Sequence, residues 1–156
     1  LYGVLEYFKY ITNDQFMSFG EFNSILGGHP HLNKHSEIKA STGSLGHGLP
    51  IALGKALALK IKNKSKKIYC LIGDGEANEG TTWESLLIAS KHKLDNLILL
   101  IDYNKIQALS RLKDALPLHD LAKKFKSFNW NCINIKNGHS FKSIISSLKK
   151  KNIKNK

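Results

Sequence analysis

Short apolar runs alternate along the chain with segments whose apolar residues recur at helical spacing. Residues 67–72 and 97–101 are apolar runs bounded by glycine or polar residues, a pattern typical of strands buried on both faces of a parallel sheet. Residues 49–61 carry alanine and leucine every three or four positions, which predicts a helix after a glycine-rich loop. The pattern therefore indicates parallel strands connected by helices.

The remaining segments extend this order. Thr81 and Glu84 have the spacing of a capping box, so Thr81 is predicted to cap a helix that continues to about Lys93. Further predictions are helices over residues 1–10, 119–128 and 140–150, a third strand over residues 132–135, and loop with short helical pieces over residues 12–39. The expected fold is α/β in three layers, a mostly parallel sheet flanked by helices.

Length and composition fit one soluble globular domain. The 156 residues are 42% hydrophobic, and no apolar run approaches the roughly 20 residues that cross a bilayer. The first ten residues lack the order of a secretory signal, so we expect a cytoplasmic protein without a membrane partner. Cys70 and Cys132 lie in apolar segments with no second cysteine or histidine at metal-ligand spacing, which predicts two buried thiols.

The formal net charge of +12 raises the question of nucleic-acid binding. All but one of the basic residues are lysine, Arg111 being the exception, whereas base-edge recognition favours arginine. No basic stripe is interleaved with aromatic residues, and the lysines near the end of the sequence are typical of a solvated terminus. We therefore expect no nucleic-acid partner.

Polar residues follow both predicted strands at their carboxyl ends, where parallel sheets collect ligands. Asp74 lies between Gly73 and Gly75, and Asn104 ends the sequence Asp102-Tyr103-Asn104. The two glycines let the backbone turn sharply and approach an anion such as phosphate. A carboxylate would repel phosphate unless a cation lay between them, and Mg²⁺ takes carboxylate, amide and phosphate oxygens. Asp74 and Asn104 are therefore candidate magnesium ligands, although an ordinary turn at Asp74 and a strand-end cap at Asn104 remain alternatives.

Three motifs together resemble a known family. The run GDGEANEG at residues 73–80 and Asn104 together resemble the thiamine-diphosphate signature, with 28 residues between Gly75 and Asn104. TGSLGHGL at residues 42–49 is similar to the TGSLGQG segment of transketolases, and residues 28–30 are similar to their GHP element. The chain resembles the N-terminal, diphosphate-binding domain or subunit of transketolase from residue 1 to about residue 140. The resemblance implies the thiamine-diphosphate-binding fold, with thiamine diphosphate and Mg²⁺ as cofactors.

The resemblance assigns the diphosphate end of the cofactor to the strand ends. Asp74, Asn104 and the carbonyl oxygen of Ile106 match the family's magnesium ligands. Gly75 matches its diphosphate contact, and Gly73 belongs to the same cofactor-binding run.

The resemblance also implies the other site residues. Gly43 and Leu45 match residues that line the aminopyrimidine and thiazolium, and Glu79 matches an acid at the dimer interface. A solvated residue near a helix start remains the alternative for Glu79. His29 matches the histidine that contacts substrate hydroxyls, a role suited to imidazole. His47 stands where transketolases usually have glutamine, which leaves sugar specificity open, and His29, His47 and Glu79 form the expected catalytic set.

Several other residues of interest fall outside this set. Glu84 matches a family position, but the capping box explains it equally well. His31 stands where many transketolases have glutamate. The remaining histidines are expected at the surface, namely His35, His92, His119 and His139.

Elements that the family has at both ends are missing, so we expect a domain over residues 1–156 that is truncated at both ends. The glutamate that activates the aminopyrimidine belongs to the family's next domain. The resemblance therefore implies a pyrimidine-binding C-terminal subunit or domain as partner, in a hetero-oligomer. The implied reaction is transfer of a two-carbon ketol unit between sugars or sugar phosphates. A component of a 2-oxo-acid dehydrogenase or synthase and a non-catalytic remnant of the fold are the alternatives.

Overall fold

The chain forms two compact units in a computed structural model that describes residues 1–32 and 37–150. The units are Leu1–Leu45 and Gly46–Lys156. The expectation of one domain over residues 1–156 stays a prediction. No helix among the described residues is long and apolar enough to cross a membrane.

The first unit contains two short helices, α1 (Tyr2–Tyr7) and α2 (Asn13–Met17). Helix α2 begins with a capping box, in which Thr12 accepts from the Gln15 N–H and the Gln15 side chain accepts from the Thr12 N–H. The Tyr2 hydroxyl donates to the Gly27 carbonyl at 2.7 Å. The buried core of the unit consists of Leu5, Ile11, Leu26 and Ile38. The predicted helix within residues 1–10 and the short helical piece after it are confirmed.

The second unit is built on a parallel pair of strands, β1 (Ile68–Gly73) and β2 (Leu97–Asp102). Ile68 pairs with Leu97 at the start of the strands, and Gly73 pairs with Asp102 at their ends. Both strands coincide closely with the predicted apolar runs. The expected burial of both faces is wrong for β1 among the described residues, since Tyr69 is 53% and Leu71 70% exposed. The predicted α/β class and the parallel pairing are confirmed.

Helices pack against this pair and against one another. Helix α3 (Gly48–Ile61) packs on β1, and α4 (Gly80–Lys91) packs on α3 and connects β1 to β2 after a 3₁₀ turn at Glu76–Asn78. Within the described part of the chain, three shorter helices follow β2, namely α5 (Leu112–Ala115), α6 (Leu121–Ser127) and α7 (Phe141–Leu148). The Asn96 amide donates to the Ala56 carbonyl at 2.9 Å and so joins the start of β2 to α3.

Aromatic side chains hold α6 against α4. The Trp83 ring lies 5.5 Å from that of Phe125 and 5.7 Å from that of Phe128, between ring centroids. The Trp130 indole N–H donates to the Leu86 carbonyl at 3.1 Å in a buried hydrogen bond. These contacts provide both apolar burial and a partner for the buried indole. They belong to one core that also contains Leu49, Ala56, Ile72, Ala89 and Leu97.

The prediction of a third strand over residues 132–135 is wrong, because this segment is irregular and the described sheet has two strands. Ile133 is 39% exposed, and the Cys132 thiol lies 3.6 Å from the Ala122 carbonyl and 3.7 Å from that of Trp130. A short apolar run becomes a strand only where a neighbouring strand supplies hydrogen bonds, which apolar pattern alone does not reveal.

The predicted capping box at Thr81 and Glu84 is also wrong. Helix α4 begins at Gly80, its N-cap is Glu79, and no side chain caps it. The Thr81 hydroxyl instead donates to the Gly46 carbonyl at 2.7 Å. A long-range hydrogen bond has therefore replaced the local one that the spacing indicated.

Both cysteines are free thiols, but they differ in burial. Cys70 is buried as predicted, whereas Cys132 is only half-buried. Burial, together with the nearby Glu76 carboxylate, raises the pKa of the Cys70 thiol from 9.0 to about 11. Burial also raises the pKa of Cys132.

We predict that Cys70 is unreactive at neutral pH in the folded chain. A thiol pKa of about 11 in place of 9.0 makes the thiolate about 100-fold scarcer at pH 8. Labelling with iodoacetamide, followed by peptide mass spectrometry, should therefore be at least about 100-fold slower at Cys70 in buffer than in urea. Because the folded pKa is raised, this thiol should lower the free energy of unfolding only as the pH rises from about 9 to about 11. Equal labelling rates in buffer and urea would contradict the burial of the thiol.

Candidate cofactor-binding site

The carboxyl ends of β1 and β2 lie side by side, as the sequence predicts. Gly73 pairs with Asp102, and the Asp74 N–H donates to the Asp102 carbonyl at 3.1 Å. The parallel ladder therefore continues one residue beyond β1. This hydrogen bond fixes Asp74 next to the chain that leads from Asp102 to Asn104.

Asp74 is a buried charge. The residue is 2% exposed, and its Oδ2 accepts from the Lys105 N–H at 2.6 Å. Lys105, whose N–H makes this bond, has a left-handed φ of 65°. Among the described residues, no lysine, arginine or histidine forms an ion pair with Asp74. A buried carboxylate without a counter-charge is costly, and a bound cation would remove that cost.

The Asn104 side chain is ordered by its own loop. Its Oδ1 accepts from the Ile106 N–H at 2.8 Å, and its Nδ2 lies 3.3 Å from Asp102 Oδ2. An amide oxygen has two lone pairs, so Oδ1 keeps one for a ligand. Ile106 is 67% exposed and forms an antiparallel bridge with Arg111.

These donors fit Mg²⁺ better than a transition metal. No group of three or more histidine, cysteine, aspartate or glutamate residues lies together in the described ranges 1–32 and 37–150. Such a cluster is unnecessary for Mg²⁺, which often takes one or two carboxylates and completes its shell with phosphates and water. The buried Asp74 carboxylate, the Asn104 amide oxygen and the backbone carbonyl of Ile106 are hard oxygen donors of that kind.

The glycines beside Asp74 are not required by a left-handed backbone conformation. Left-handed φ angles occur at Gly20, Gly43 and Gly46, and not at Gly73 or Gly75. The turn at Asp74 therefore needs no glycine for its φ. A Cβ on Gly73 would meet no atom within 4 Å, whereas one on Gly75 would lie 3.4 Å from Cγ of Gln107. Gly73 therefore has open space where a side chain would lie.

The glycine-rich loop before α3 is held through Gly46. Its N–H donates to Glu76 Oε1 at 3.0 Å, and its carbonyl accepts from the Thr81 hydroxyl at 2.7 Å. Gly46 has a φ of 78°, and a Cβ there would collide with Thr81 Oγ1 and lie 2.8 Å from Cβ of Glu79. No larger residue fits this position without movement. Hydrogen bonds therefore join Gly46 to the segment that follows Asp74.

Glu76 and Thr81 position the Gly46 backbone, a role that the sequence did not indicate for either residue. Glu76 belongs to the quoted GDGEANEG run, but no spacing assigns its carboxylate to Gly46. The carboxylate also lies near the start of α3, since a Cβ on Gly48 would be 3.6 Å from Glu76 Oε1. A negative charge there is favourable because the N–H groups of the first turn point towards it.

The predicted residues of the first unit include one close pair. Gly43 has a φ of 119°, and a Cβ there would lie 2.8 Å from Cγ of the His29 ring. The imidazole therefore packs directly on the Gly43 backbone. His29 is exposed, and Leu45 is 55% exposed.

The other predicted residues lie at helix starts in the second unit. His47 is exposed and is the N-cap residue of α3, without capping it through its side chain. Glu79 is half-buried and is the N-cap residue of α4. His92, His119 and His139 are exposed as predicted, His31 is exposed too, and His35 lies outside the described residues.

Comparisons with known proteins identify the family. The family model described as "Transketolase, thiamine diphosphate binding domain" matches residues 1–156. The chain is 40% identical over 139 residues to an apulose-4-phosphate transketolase subunit of Actinobacillus succinogenes, covering 89% of this chain and 50% of that protein. It is 34% identical over 148 residues to 6-deoxy-6-sulfo-D-fructose transketolase subunit SqwG of a Clostridium species, covering 95% and 54%.

Comparison with solved structures identifies the same family. A crystal structure of transketolase from Campylobacter jejuni matches with a TM-score of 0.84 and 32% sequence identity, covering 91% of this chain and 23% of that one. The chain spans about half the length of the transketolase subunits that it matches. The match over the whole sequence and the shared fold show that the chain belongs to the transketolase thiamine-diphosphate-binding domain family.

Proposed function

We propose that this chain supplies the diphosphate- and magnesium-binding half of a transketolase-type enzyme, which transfers a two-carbon ketol unit between sugars. The observation that carries the proposal is the buried Asp74 carboxylate, which has no counter-charge among the described residues and lies at a strand end beside the loop of Asn104. Family membership supplies the chemical context. When bound, thiamine diphosphate supplies the nucleophilic carbon for breaking and forming the carbon–carbon bond.

Each end of the cofactor has its own proposed residues. Asp74, Asn104 and the carbonyl of Ile106 hold Mg²⁺, and the Gly73–Gly75 turn receives the diphosphate. Support comes from the pairing of Gly73 with Asp102 and from the hydrogen bond that joins the Lys105 N–H to the Asp74 carboxylate. Gly43 and Leu45 line the rings of the cofactor.

We further assign His29 and His47 to the sugar substrate and Glu79 to a contact between subunits. Imidazole exchanges a proton near neutral pH and donates or accepts hydrogen bonds, which suits contact with sugar hydroxyls. The packing of His29 on Gly43 supports its role, because it orients the ring next to a residue assigned to the cofactor.

The partner that we propose is a subunit or domain that holds the pyrimidine end of the cofactor and donates its activating glutamate. The names of two relatives contain the word subunit, which supports a hetero-oligomer. These names, one for a phosphorylated and one for a sulfonated sugar, also favour sugar substrates over 2-oxo acids. A cytoplasmic location stays a prediction.

We predict that Asp74→Ala weakens binding of magnesium thiamine diphosphate by at least about 100-fold, since the diphosphate then lacks its main metal ligand. Isothermal titration calorimetry on the assembled complex measures this. Chelation of Mg²⁺ with EDTA should abolish binding to the unmodified protein. Asp95→Ala is the matched control, because Asp95 is exposed and precedes the opposite end of β2. Undiminished binding by Asp74→Ala would remove Asp74 from the metal site.

A second prediction is that this chain alone has at most about 1% of the ketol-transfer rate of the complex. General acid–base assistance is worth roughly 100- to 10,000-fold, and the activating glutamate comes from the partner. The chain is purified alone and with the product of a neighbouring reading frame. Light scattering then gives the mass of each sample, and an assay with a ketose donor and an aldose acceptor gives the rate.

The same assay contains its own site control. His29→Ala in the complex should lower the rate while leaving cofactor affinity nearly unchanged, because His29 faces the substrate in this account. His47→Gln, which restores the residue common in transketolases, should have a milder effect. Full activity from a monomer of this chain would refute the two-subunit proposal, and a wild-type rate for His29→Ala would remove His29 from the substrate site.

A further inference from the structure

A buried amide without a partner lies in the loop that follows Asn104. Among the described residues, three buried side-chain atoms lack a hydrogen bond, namely Asn78 Oδ1, Asn96 Oδ1 and Gln107 Nε2. The Gln107 atom is the donor of the three. A buried N–H group without an acceptor destabilises the fold. A bound ligand that accepts a hydrogen bond from this group would remove that cost.

The backbone of this loop is fixed. The Gln107 N–H donates to the Ser110 carbonyl at 2.8 Å, and the Leu112 N–H donates to the Lys105 carbonyl at 3.0 Å. Ile106 and Arg111 form the antiparallel bridge between these bonds. The Gln107 side chain therefore starts from a defined position.

The side chain lies against Gly75, the residue assigned to the diphosphate. A Cβ on Gly75 would be 3.4 Å from Cγ of Gln107, 3.5 Å from Cδ and 3.7 Å from Nε2. The amide would thus be in van der Waals contact with a side chain at position 75. Asp74, which precedes Gly75, accepts from the Lys105 N–H and not from this amide.

We propose that Gln107 is a cofactor-binding residue, whose Nε2 donates a hydrogen bond to a diphosphate oxygen of the cofactor held at Gly75. The inference rests on the proposed function and adds a ligand that none of the sequence motifs indicates. A phosphate oxygen is the acceptor that the site would offer, and hydrogen bonds to charged oxygens are stronger than neutral ones. Because the amide is neutral, it binds the diphosphate without repelling the adjacent metal ion.

The test compares Gln107→Met with the parent and with Leu109→Met in the assembled complex. Methionine has a similar length but no donor, and Leu109 lies in the same loop and is 99% exposed. Calorimetric titrations use two probes, magnesium thiamine diphosphate and magnesium pyrophosphate. Gln107→Met should weaken both by the same factor, roughly 10- to 150-fold, and Leu109→Met should change neither. Gln107→Glu should weaken both further, because a carboxylate repels the diphosphate.

Stability without the cofactor separates this role from a structural one. If the amide serves the ligand, replacing an unpaired buried donor by an apolar group should leave the melting temperature of the cofactor-free Gln107→Met protein unchanged or raise it. A lower melting temperature together with weaker binding would show a structural role and overturn the inference. Should Gln107→Met fail to fold, the affinities of Gln107→Glu, which keeps the shape of the side chain, decide the matter.

The outcomes also separate this inference from the proposed function. If the parent binds neither probe, both fail. If the parent binds both probes and Gln107→Met binds them equally well, the inference alone is overturned and the proposed function stands. If only thiamine diphosphate binding weakens, the amide contacts another part of the cofactor and the assignment to the diphosphate is wrong.

Discussion

The buried carboxylate of Asp74 is the constraint on which the site depends. A charge that is 2% exposed and has no ion-pair partner among the described residues requires other compensation. The fold provides one hydrogen bond, from the Lys105 N–H at 2.6 Å. The parallel register, which pairs Gly73 with Asp102, places Asn104 and Ile106 in the loop beside that charge. Under the proposed function, a divalent cation held by these residues would compensate the buried carboxylate.

A second set of contacts positions the chain around this charge. Gly46 is held on one side by the Glu76 carboxylate and on the other by the Thr81 hydroxyl. Because Glu76 follows Asp74 by two residues, the turn at Asp74 and the loop before α3 are joined by the same hydrogen bonds. Burial is the larger cause of the raised pKa of the Cys70 thiol, and the Glu76 carboxylate is the second cause. Glu76 thus has effects in the core as well as at the loop.

The sequence was sufficient for features that depend on local pattern and failed where distant partners decide. Apolar runs located β1 and β2, and the polar residues after them located the strand ends, since parallel strands expose their carboxyl ends at one edge. The segment around Cys132 was mispredicted as a strand, and its thiol bonds to Ala122, which lies 10 residues away in sequence. The role of Thr81 was mispredicted because its hydroxyl bonds to Gly46, 35 residues away in sequence. The position of the Gln107 side chain next to Gly75 likewise depends on a loop conformation that no spacing reveals.

The central claim, that the two strand ends jointly hold a metal-bridged diphosphate, is tested most directly by crystallography with manganese. Crystals of the complex grown with Mn²⁺ and thiamine diphosphate give an anomalous difference map in which the metal is located independently of the cofactor. The account predicts one peak in contact with the Asp74 carboxylate, the Asn104 amide oxygen and the Ile106 carbonyl, with two diphosphate oxygens completing the contacts. A diphosphate bound at Gly75 without a peak there, or a peak that excludes Asp74, would contradict it.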